Sequence, residues 1–430
     1  MSTAAVILAG GRGTRSADPS IPKIAQQVGG KSLLQWHLDL IDGSGIDEVL
    51  IVTGHLGDEV ARLLETADTH HIPVRIVHET QPRGTVPALQ LAASESTADR
   101  LLVILGDVWC SFPVNHFLVA WEESELEAAA IVHPSLHPAD SDAVIPSPDG
   151  SVTVISKSKR IFTTGAAPHR NMSAAGVFAV ARSTIIESDA TDVGSELIAD
   201  AAQRDQLLAY VSSHYLKDTG TPDRLEKAHD DWCSGAFAAR GMRSPRAALF
   251  LDRDGVLNPA LPEVYRPESL TLLPGVATQI ARANAAGVPV VVVTNQPGLA
   301  KGFMTFADHE AIRGRLDELL IAEGAFVDDY SFCPHHPETG FDGEVADLKI
   351  ACACRKPEPG MLLDLIGHHT LEPSMSVLVG DSDRDEGAAQ AAGVRFIRAT
   401  DTHPAASAIE QALTEIMLEQ RAGTPQEPGC

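Results

Sequence analysis

The segment Ala248-Leu-Phe-Leu-Asp-Arg-Asp-Gly-Val-Leu-Asn258 constrains the fold of this chain more than any other stretch. Ala248 to Leu251 are successive apolar residues that suit a short parallel strand buried on both faces, and they run directly into Asp252, Asp254 and Gly255. A strand ending in two carboxylates and a glycine turn fits an open α/β sheet, whose ligand lies across the carboxyl ends of the strands. An aspartate there can attack phosphorus and form an acyl phosphate, provided a cation offsets the repulsion between carboxylate and phosphate. A second carboxylate two residues on is placed to protonate the leaving oxygen and then deprotonate the attacking water. An isolated Asp-x-Asp is more often an acidic turn, so the reading depends on what else the chain supplies.

It supplies three further pieces in order. Val276 to Ala286 has helical character, and Val288-Pro-Val-Val-Val-Val293 is a strand leading into Thr294-Asn295-Gln-Pro-Gly298. The hydroxyl and amide at that strand's end can donate to a phosphoryl group. Arg355-Lys356 adds fixed positive charge, and Ser376-Val-Leu-Val-Gly380-Asp381-Ser-Asp383-Arg-Asp385 is another buried strand ending in carboxylates. The set resembles the haloacid-dehalogenase-like phosphatase superfamily. Within it, Leu251 to Asn258, Leu273-Pro-Gly275, Thr294 to Gly298, Cys333-Pro-His-His-Pro337 and Cys352-Ala-Cys-Arg-Lys-Pro-Glu-Pro-Gly-Met361 resemble the D-glycero-D-manno-heptose bisphosphate phosphatases and related histidinol-phosphatases. The resemblance runs from roughly Ala248 to Thr400. It implies Asp252 as nucleophile, Asp254 as acid/base, and Thr294 and Lys356 as phosphate clamps. It also implies magnesium on Asp252, Asp381 and the backbone carbonyl of Asp254, with Asn295 and Arg355 contacting substrate. Asp383 and Asp385 would support these ligands or cap a helix.

Cys333-x-His335 with Cys352-x-Cys354 is a four-ligand set suited to tetrahedral zinc, and three thiolates with no spare ligand mark a structural site. Zinc binding of this type supplies roughly 10 to 16 kcal/mol, against about 3 kcal/mol for a disulfide closing such a loop. His336 is the alternative nitrogen ligand. The long intervening loop, acidic from Asp342 to Asp347, is expected to face the distal end of the substrate.

The first half has its own strand and loop, Val6-Ile-Leu-Ala-Gly10-Gly11-Arg12-Gly13-Thr14-Arg15. Backbone amides of such a loop can close around a triphosphate, with Arg15 and Lys23 adding charge. Helical stretches at Leu33 to Leu40, Asp58 to Glu65 and Val86 to Ser94 alternate with extended ones at Glu48 to Val52, Val74 to His78 and Leu101 to Leu105. Ala9 to Arg15, Pro22-Lys23, Gly84-Thr85, Gly106-Asp107 and Lys217-Asp218-Thr-Gly-Thr-Pro222 resemble the sugar-1-phosphate nucleotidyltransferase family from about Val6 to Ala228. That likeness implies Gly10, Gly11, Gly13, Thr14 and Arg15 around a nucleoside triphosphate, Lys23 on its phosphates, and Gln81, Gly84 and Thr85 near base and ribose. Asp107 and Asp218 would hold a second magnesium site. Ser16 and Ile24 depart from the family pattern, as does Ser156-Lys157-Ser-Lys159 ahead of Asn171-Met-Ser-Ala-Ala-Gly176. Lys157, Lys159 and Asn171 are each sugar-phosphate ligands or ordinary surface residues.

The expected architecture is α/β: two doubly wound domains, an N-terminal nucleotidyltransferase Rossmann-like sheet and a C-terminal haloacid-dehalogenase-like sheet with a zinc loop. The expected divisions are 1–235, a surface linker at 236–246, 247–420, and a flexible tail at 421–430. With 430 residues there is room for a core in each domain, and a formal charge of -25 argues against nucleic-acid or anionic-membrane partners. Ala4 to Ala9 reads as a first strand and not a secretory leader, so a cytoplasmic location is expected. Together the resemblances imply an enzyme that removes the 7-phosphate of a heptose bisphosphate and then transfers a nucleotidyl group to heptose 1-phosphate, GTP being the favoured donor. The alternatives are a phosphatase for histidinol phosphate or another small ester, and a first domain that only binds nucleotide or serves assembly.

Overall fold

Two separate sheets form from these alternating apolar runs. The computed structural model describes residues 2–11, 18, 20–136, 142–146, 152–155, 170–242 and 245–423. Gly13, Thr14, Arg15, Ser16, Lys157, Lys159 and the tail from 424 onward lie outside the described residues.

In the first half, Thr3–Leu8 lies between Glu48–Thr53 and Arg100–Leu105, all parallel, with Val74–His78 outside Glu48–Thr53. Val6, Ile51 and Val103 have no exposed surface, as strands covered on both faces require. Ser173–Ala181 then runs antiparallel to both Arg100–Leu105 and Ala128–His133, and Leu207–Val211 extends the sheet beyond the latter. The helix Leu33–Ile41 begins where the Ser32 hydroxyl accepts from Gln35 N at 3.2 Å.

The second sheet has five parallel strands in the order Asp329–Cys333, Val290–Asn295, Leu249–Leu251, Val377–Gly380, Arg395–Arg398. Helices Val276–Ala285, Phe306–Ala322, Gly360–His369, Asp383–Ala392 and Ala405–Gly423 intervene or follow. The expected strand at Val288 to Val293 is found two residues later, because Pro289 has no N–H for the ladder. Placing Leu249–Leu251 at the centre puts Asp252 in the middle of the crevice. No helix among the described residues is long and apolar enough to cross a membrane.

Within the stretch 236–246, expected as an exposed connection, Ala236, Phe237, Gly241 and Arg246 are instead buried. Ala236–Arg240 is a short helix, and Phe237 stacks on Trp109 with centroids 4.2 Å apart. Trp232 meets Trp36 edge-on at 5.6 Å. Such aromatic pairs add about 0.5–1.5 kcal/mol each beyond their buried area. Arg246 is buried and donates to Ser213 O at 2.9 Å and His369 O at 2.6 Å, joining the two halves.

Other buried ion pairs cross between the halves. Arg240 grips Asp328 at 2.5 and 3.0 Å, and Arg170 Nε lies 3.1 Å from Asp317, which also accepts from Asn171 N at 2.8 Å. Asn171 is therefore an interface residue here, its amide donating to Ser135 O at 2.8 Å. Asp317→Ala leaves a buried guanidinium and a buried N–H without their acceptor. Urea unfolding is expected to show a loss of about 3–5 kcal/mol; a loss below about 1 kcal/mol would show that the pair stabilises nothing.

On the helix Phe306–Ala322, His309 has no exposed surface and packs on Phe332 at 4.0 Å. Burial lowers its pKa to about 4. Its imidazole is neutral when folded and, near pH 6.5 and below, takes up a proton on unfolding. The associated stability is therefore complete above about pH 6.5 and declines toward pH 4, by up to about 3 kcal/mol. Urea midpoints measured across that window should fall with pH, and His309→Phe should flatten the slope.

Candidate active sites

Asp252 is delivered by the central strand: its N–H donates to Val379 O at 3.0 Å, continuing the ladder to the neighbouring strand. Its carboxyl group is nearly buried, accepts from Arg253 N at 2.7 Å and lies 2.9 Å from Lys356 Nζ. The same ammonium lies 2.5 Å from Asp385 and donates to Val293 O at 2.8 Å. Burial pushes the Asp252 pKa up to about 6 against the pull of Lys356, and Asp385 adds repulsion. Burial also raises Asp381, again with help from Asp385. For Lys356 burial opposes the charge, but the two carboxylates outweigh it and hold the proton above the ordinary lysine range.

Oxygens of Asp252, Asp381 and Asp385 all lie within 4.8 Å of one another, a hard-oxygen donor set that fits a divalent cation. Gly255 makes the set possible: its φ is +88°, and a Cβ there would come 2.0 Å from Asp381 Oδ2. A cation among these oxygens would offset the burial and mutual repulsion that otherwise raise Asp252 and Asp381. Asp385 does double duty, since it also accepts from Ser382 N at 3.0 Å as a helix cap. Asp383 instead points to Arg398 at 2.7 Å on the surface. The Asp381-x-x-x-Asp385 spacing across a strand-to-helix turn was the available signal for Asp385.

Asp254 accepts from Arg253, Asn258 and Gln296, and the Gln296 amide also donates to Thr294 Oγ1 at 2.9 Å. The motif reading missed these three donors, because nothing in residue type separates them from turn residues. Asn295 makes a reciprocal pair with the backbone of Lys356, at 3.0 Å each way. Its amide thereby holds the lysine's segment in the crevice. Arg355 Nη1 donates to His335 O at 3.0 Å, tying the same segment to the cysteine loop.

Cys333 Sγ lies 3.5 Å from Cys352 Sγ and 3.3 Å from Cys354 Sγ, and Cys352 and Cys354 are 3.3 Å apart. His335 Nδ1 is 3.3 Å from Cys354 Sγ and 3.7 Å from Cys333 Sγ. Tetrahedral zinc with bonds of about 2.3 Å wants sulfurs about 3.8 Å apart, so a small expansion admits the ion. His336 faces Glu338 O at 3.3 Å and stands outside the quartet.

In the first half, a Cβ on Gly220 would meet Asp107 Oδ2 at 2.7 Å, Asp218 Oδ1 at 2.9 Å and Lys23 Nζ at 3.0 Å. These three expected residues therefore converge. Lys23 pairs with Asp107 at 2.6 Å, and Arg224, which sequence reasoning did not single out, pairs with Asp218. The strand pairing of Tyr215–Asp218 with Val108–Ser111 creates that convergence across more than a hundred residues. Gly10 packs where a Cβ would come 3.3 Å from Gly54 N, while Gly11 faces open space. Gly84 has φ +129° and abuts Thr191 O, where a Cβ would come to 2.2 Å. The Thr85 hydroxyl accepts from Val193 N at 2.7 Å, so it fastens the 191–193 segment; Gln81 is exposed.

Comparison with known proteins follows the same division. Residues 5–213 match the family described as MobA-like NTP transferase domain, and residues 353–412 match the HAD-hydrolase-like family. A D-glycero-beta-D-manno-heptose-1,7-bisphosphate 7-phosphatase of Rhodopseudomonas palustris is 45% identical over 154 residues, covering 36% of this chain and 83% of the relative. The corresponding phosphatase of Yersinia pestis is 34% identical over 179 residues, covering 42% of this chain and 93% of the relative. Among solved structures, HddC from Yersinia pseudotuberculosis complexed with GMP-PN aligns over 53% of this chain and 99% of its own, at 19% identity and TM-score 0.44. A chain with Asp252, Lys356 and Asp381 in this crevice, at such identity over most of those phosphatases' length, belongs through its C-terminal half to the D-glycero-beta-D-manno-heptose-1,7-bisphosphate 7-phosphatase family, fused behind a MobA-like NTP transferase domain.

Proposed function

We propose that this bifunctional enzyme hydrolyses the 7-phosphate of D-glycero-D-manno-heptose 1,7-bisphosphate and then transfers a nucleotidyl group to the heptose 1-phosphate that remains. The observation that carries the reading is the buried Asp252, held by Lys356 beside Asp381 and Asp385, in a half whose relatives bear that phosphatase name. Asp252 attacks phosphorus, Thr294 and Lys356 clamp the phosphoryl oxygens, and Asp254 handles the proton of the leaving alcohol and of the attacking water. Magnesium held by Asp252, Asp381 and the Asp254 carbonyl, with Asp385 adjoining, would neutralise charge on the transferring group. Arg355 and Asn295 flank the substrate. Zinc held by Cys333, His335, Cys352 and Cys354 would serve structure alone.

In the first half, Gly10, Gly11, Gly13, Thr14 and Arg15 would enclose the triphosphate, with Lys23 on its phosphates and Gln81, Gly84 and Thr85 toward the base. Asp107 and Asp218 would hold the second magnesium. GTP is the favoured donor because the Gly84-Thr85 version of this loop resembles mannose- and heptose-type guanylyltransferases. We divide the catalytic units at residues 236–246 and assign the enzyme to the cytoplasm, where nucleoside triphosphates are supplied. The order of steps follows from the chemistry: the transferase needs a free anomeric phosphate, and the phosphatase spares it.

The test supplies heptose bisphosphate, magnesium and each nucleoside triphosphate in turn, and follows phosphate and pyrophosphate. Phosphate release followed by pyrophosphate, fastest with GTP, is expected. Asp107→Ala should lower pyrophosphate release by about 100-fold or more and leave phosphate release unchanged. Pyrophosphate release unaffected by that substitution would sink the transferase assignment, and faster turnover of histidinol phosphate would sink the heptose assignment.

A further inference from the structure

Arg253, between the two aspartates of the motif, is 2% exposed, which is unusual for a charged side chain beside a solvent crevice. Its Nη2 donates to Asp254 Oδ1 at 2.9 Å and Oδ2 at 2.8 Å, and its Nε reaches Oδ1 at 3.2 Å. Asn258 Nδ2 adds a donor to Oδ1 at 2.9 Å, and Gln296 Nε2 one to Oδ2 at 3.0 Å. Every one of these neighbours is a donor. Together they engage both oxygens of Asp254, so the clamp fixes the orientation of its side chain. Gln296 also bonds Thr294, which keeps this carboxylate one amide away from the phosphate clamp.

We propose that Arg253 is a positioning residue for the second chemical step, in which the aspartyl-phosphate is hydrolysed. The inference rests on the phosphatase reading above, with Asp252 as nucleophile. In that step a water oxygen bonds to phosphorus while its proton passes to the Asp254 carboxylate. The bond from phosphorus to the Asp252 oxygen breaks, its electron pair returns to Asp252, and inorganic phosphate departs. Asp254 then passes its proton to solvent or to the next leaving alcohol. Arg253 touches none of the reacting atoms and acts only through Asp254, whose basic oxygens it holds in place. A lysine cannot replace this role fully, because it lacks the planar fork that engages both oxygens.

The test uses the full chain and heptose bisphosphate radiolabelled at the 7-phosphate. Arg253→Met is expected to lower kcat by about 100-fold with KM changed less than about threefold, and acid quenching should trap labelled phosphoenzyme that wild type does not accumulate. Pyrophosphate formation from supplied heptose 1-phosphate reports whether the first half is intact, and urea unfolding reports whether the second half is folded. Should Arg253→Met fail to fold, Arg253→Lys is expected to lose roughly tenfold in kcat with a smaller trapped fraction. Wild-type kcat in either variant, or a fall in kcat without trapped phosphoenzyme, would overturn the proposal and leave Arg253 a counterion for folding alone. Asp252→Asn serves as control: turnover in that variant would show the nucleophile assignment itself to be wrong, whereas an inactive Asp252→Asn beside a fully active Arg253→Met rejects only the inference about Arg253.

Discussion

Asp252→Asn is expected to lower phosphate release by about 10,000-fold or more, equivalent to about 5.5 kcal/mol of barrier, while pyrophosphate release from supplied heptose 1-phosphate continues. The amide keeps the shape of the side chain and loses the anionic oxygen that attacks phosphorus. Its effect on stability should be small. Burial already disfavours the charged Asp252 in the folded protein, and Asp385 repels it, so a neutral isostere relieves as much as it removes. Lys356 keeps Asp385 as its partner. Steady-state phosphate release and urea unfolding in magnesium-free buffer check both halves of this expectation; a variant retaining more than a few per cent of wild-type turnover would show that the nucleophile lies elsewhere.

Loss of the zinc proposed at the cysteine cluster is expected to have the next largest effect. Cys352→Ser should abolish stoichiometric zinc in the purified protein and weaken the second half by about 3 kcal/mol or more. The consequence for catalysis follows from adjacency. Cys354, Arg355 and Lys356 are consecutive, and Arg355 donates to the His335 carbonyl, so the quartet anchors the segment that carries the ammonium to Asp252. Both kcat and KM of the phosphatase should deteriorate, with pyrophosphate release unchanged. Metal analysis combined with phosphate release provides the measurement; a zinc-free protein with full phosphatase activity would dismiss the cluster as an anchor.

Local sequence pattern carried the elements furthest where strands are buried on both faces. Glu48–Thr53, buried from Val49 onward, is found where the apolar run predicts it, and Leu33–Ile41 begins at its serine cap. In these segments the signal is periodicity and capping, which depend on neighbours a few residues away. The same holds for Asp252, Asp254 and Asp381, each at a strand's carboxyl end. Pattern reading was less informative at 236–246, where glycine, alanine and Ser-Pro suggest exposure. There the burial of Phe237 and Arg246 is set by Trp109, Ser213 and His369, residues remote in the chain.

By itself, therefore, the order of residues determined two α/β sheets and picked out Asp252, Lys356 and the Cys333, His335, Cys352 and Cys354 quartet as candidates, because these are strand ends and short spacings whose chemistry is local. Only the tertiary structure decided that Asp385 shares Lys356 with Asp252, that Gly220 lets Asp107, Asp218 and Lys23 converge, and that Arg253 turns inward to grip Asp254. Each of those depends on distance through space between groups whose charge and burial are fixed only when the strands have paired. An aspartate's neighbours along the chain do not reveal which cation will stand beside it.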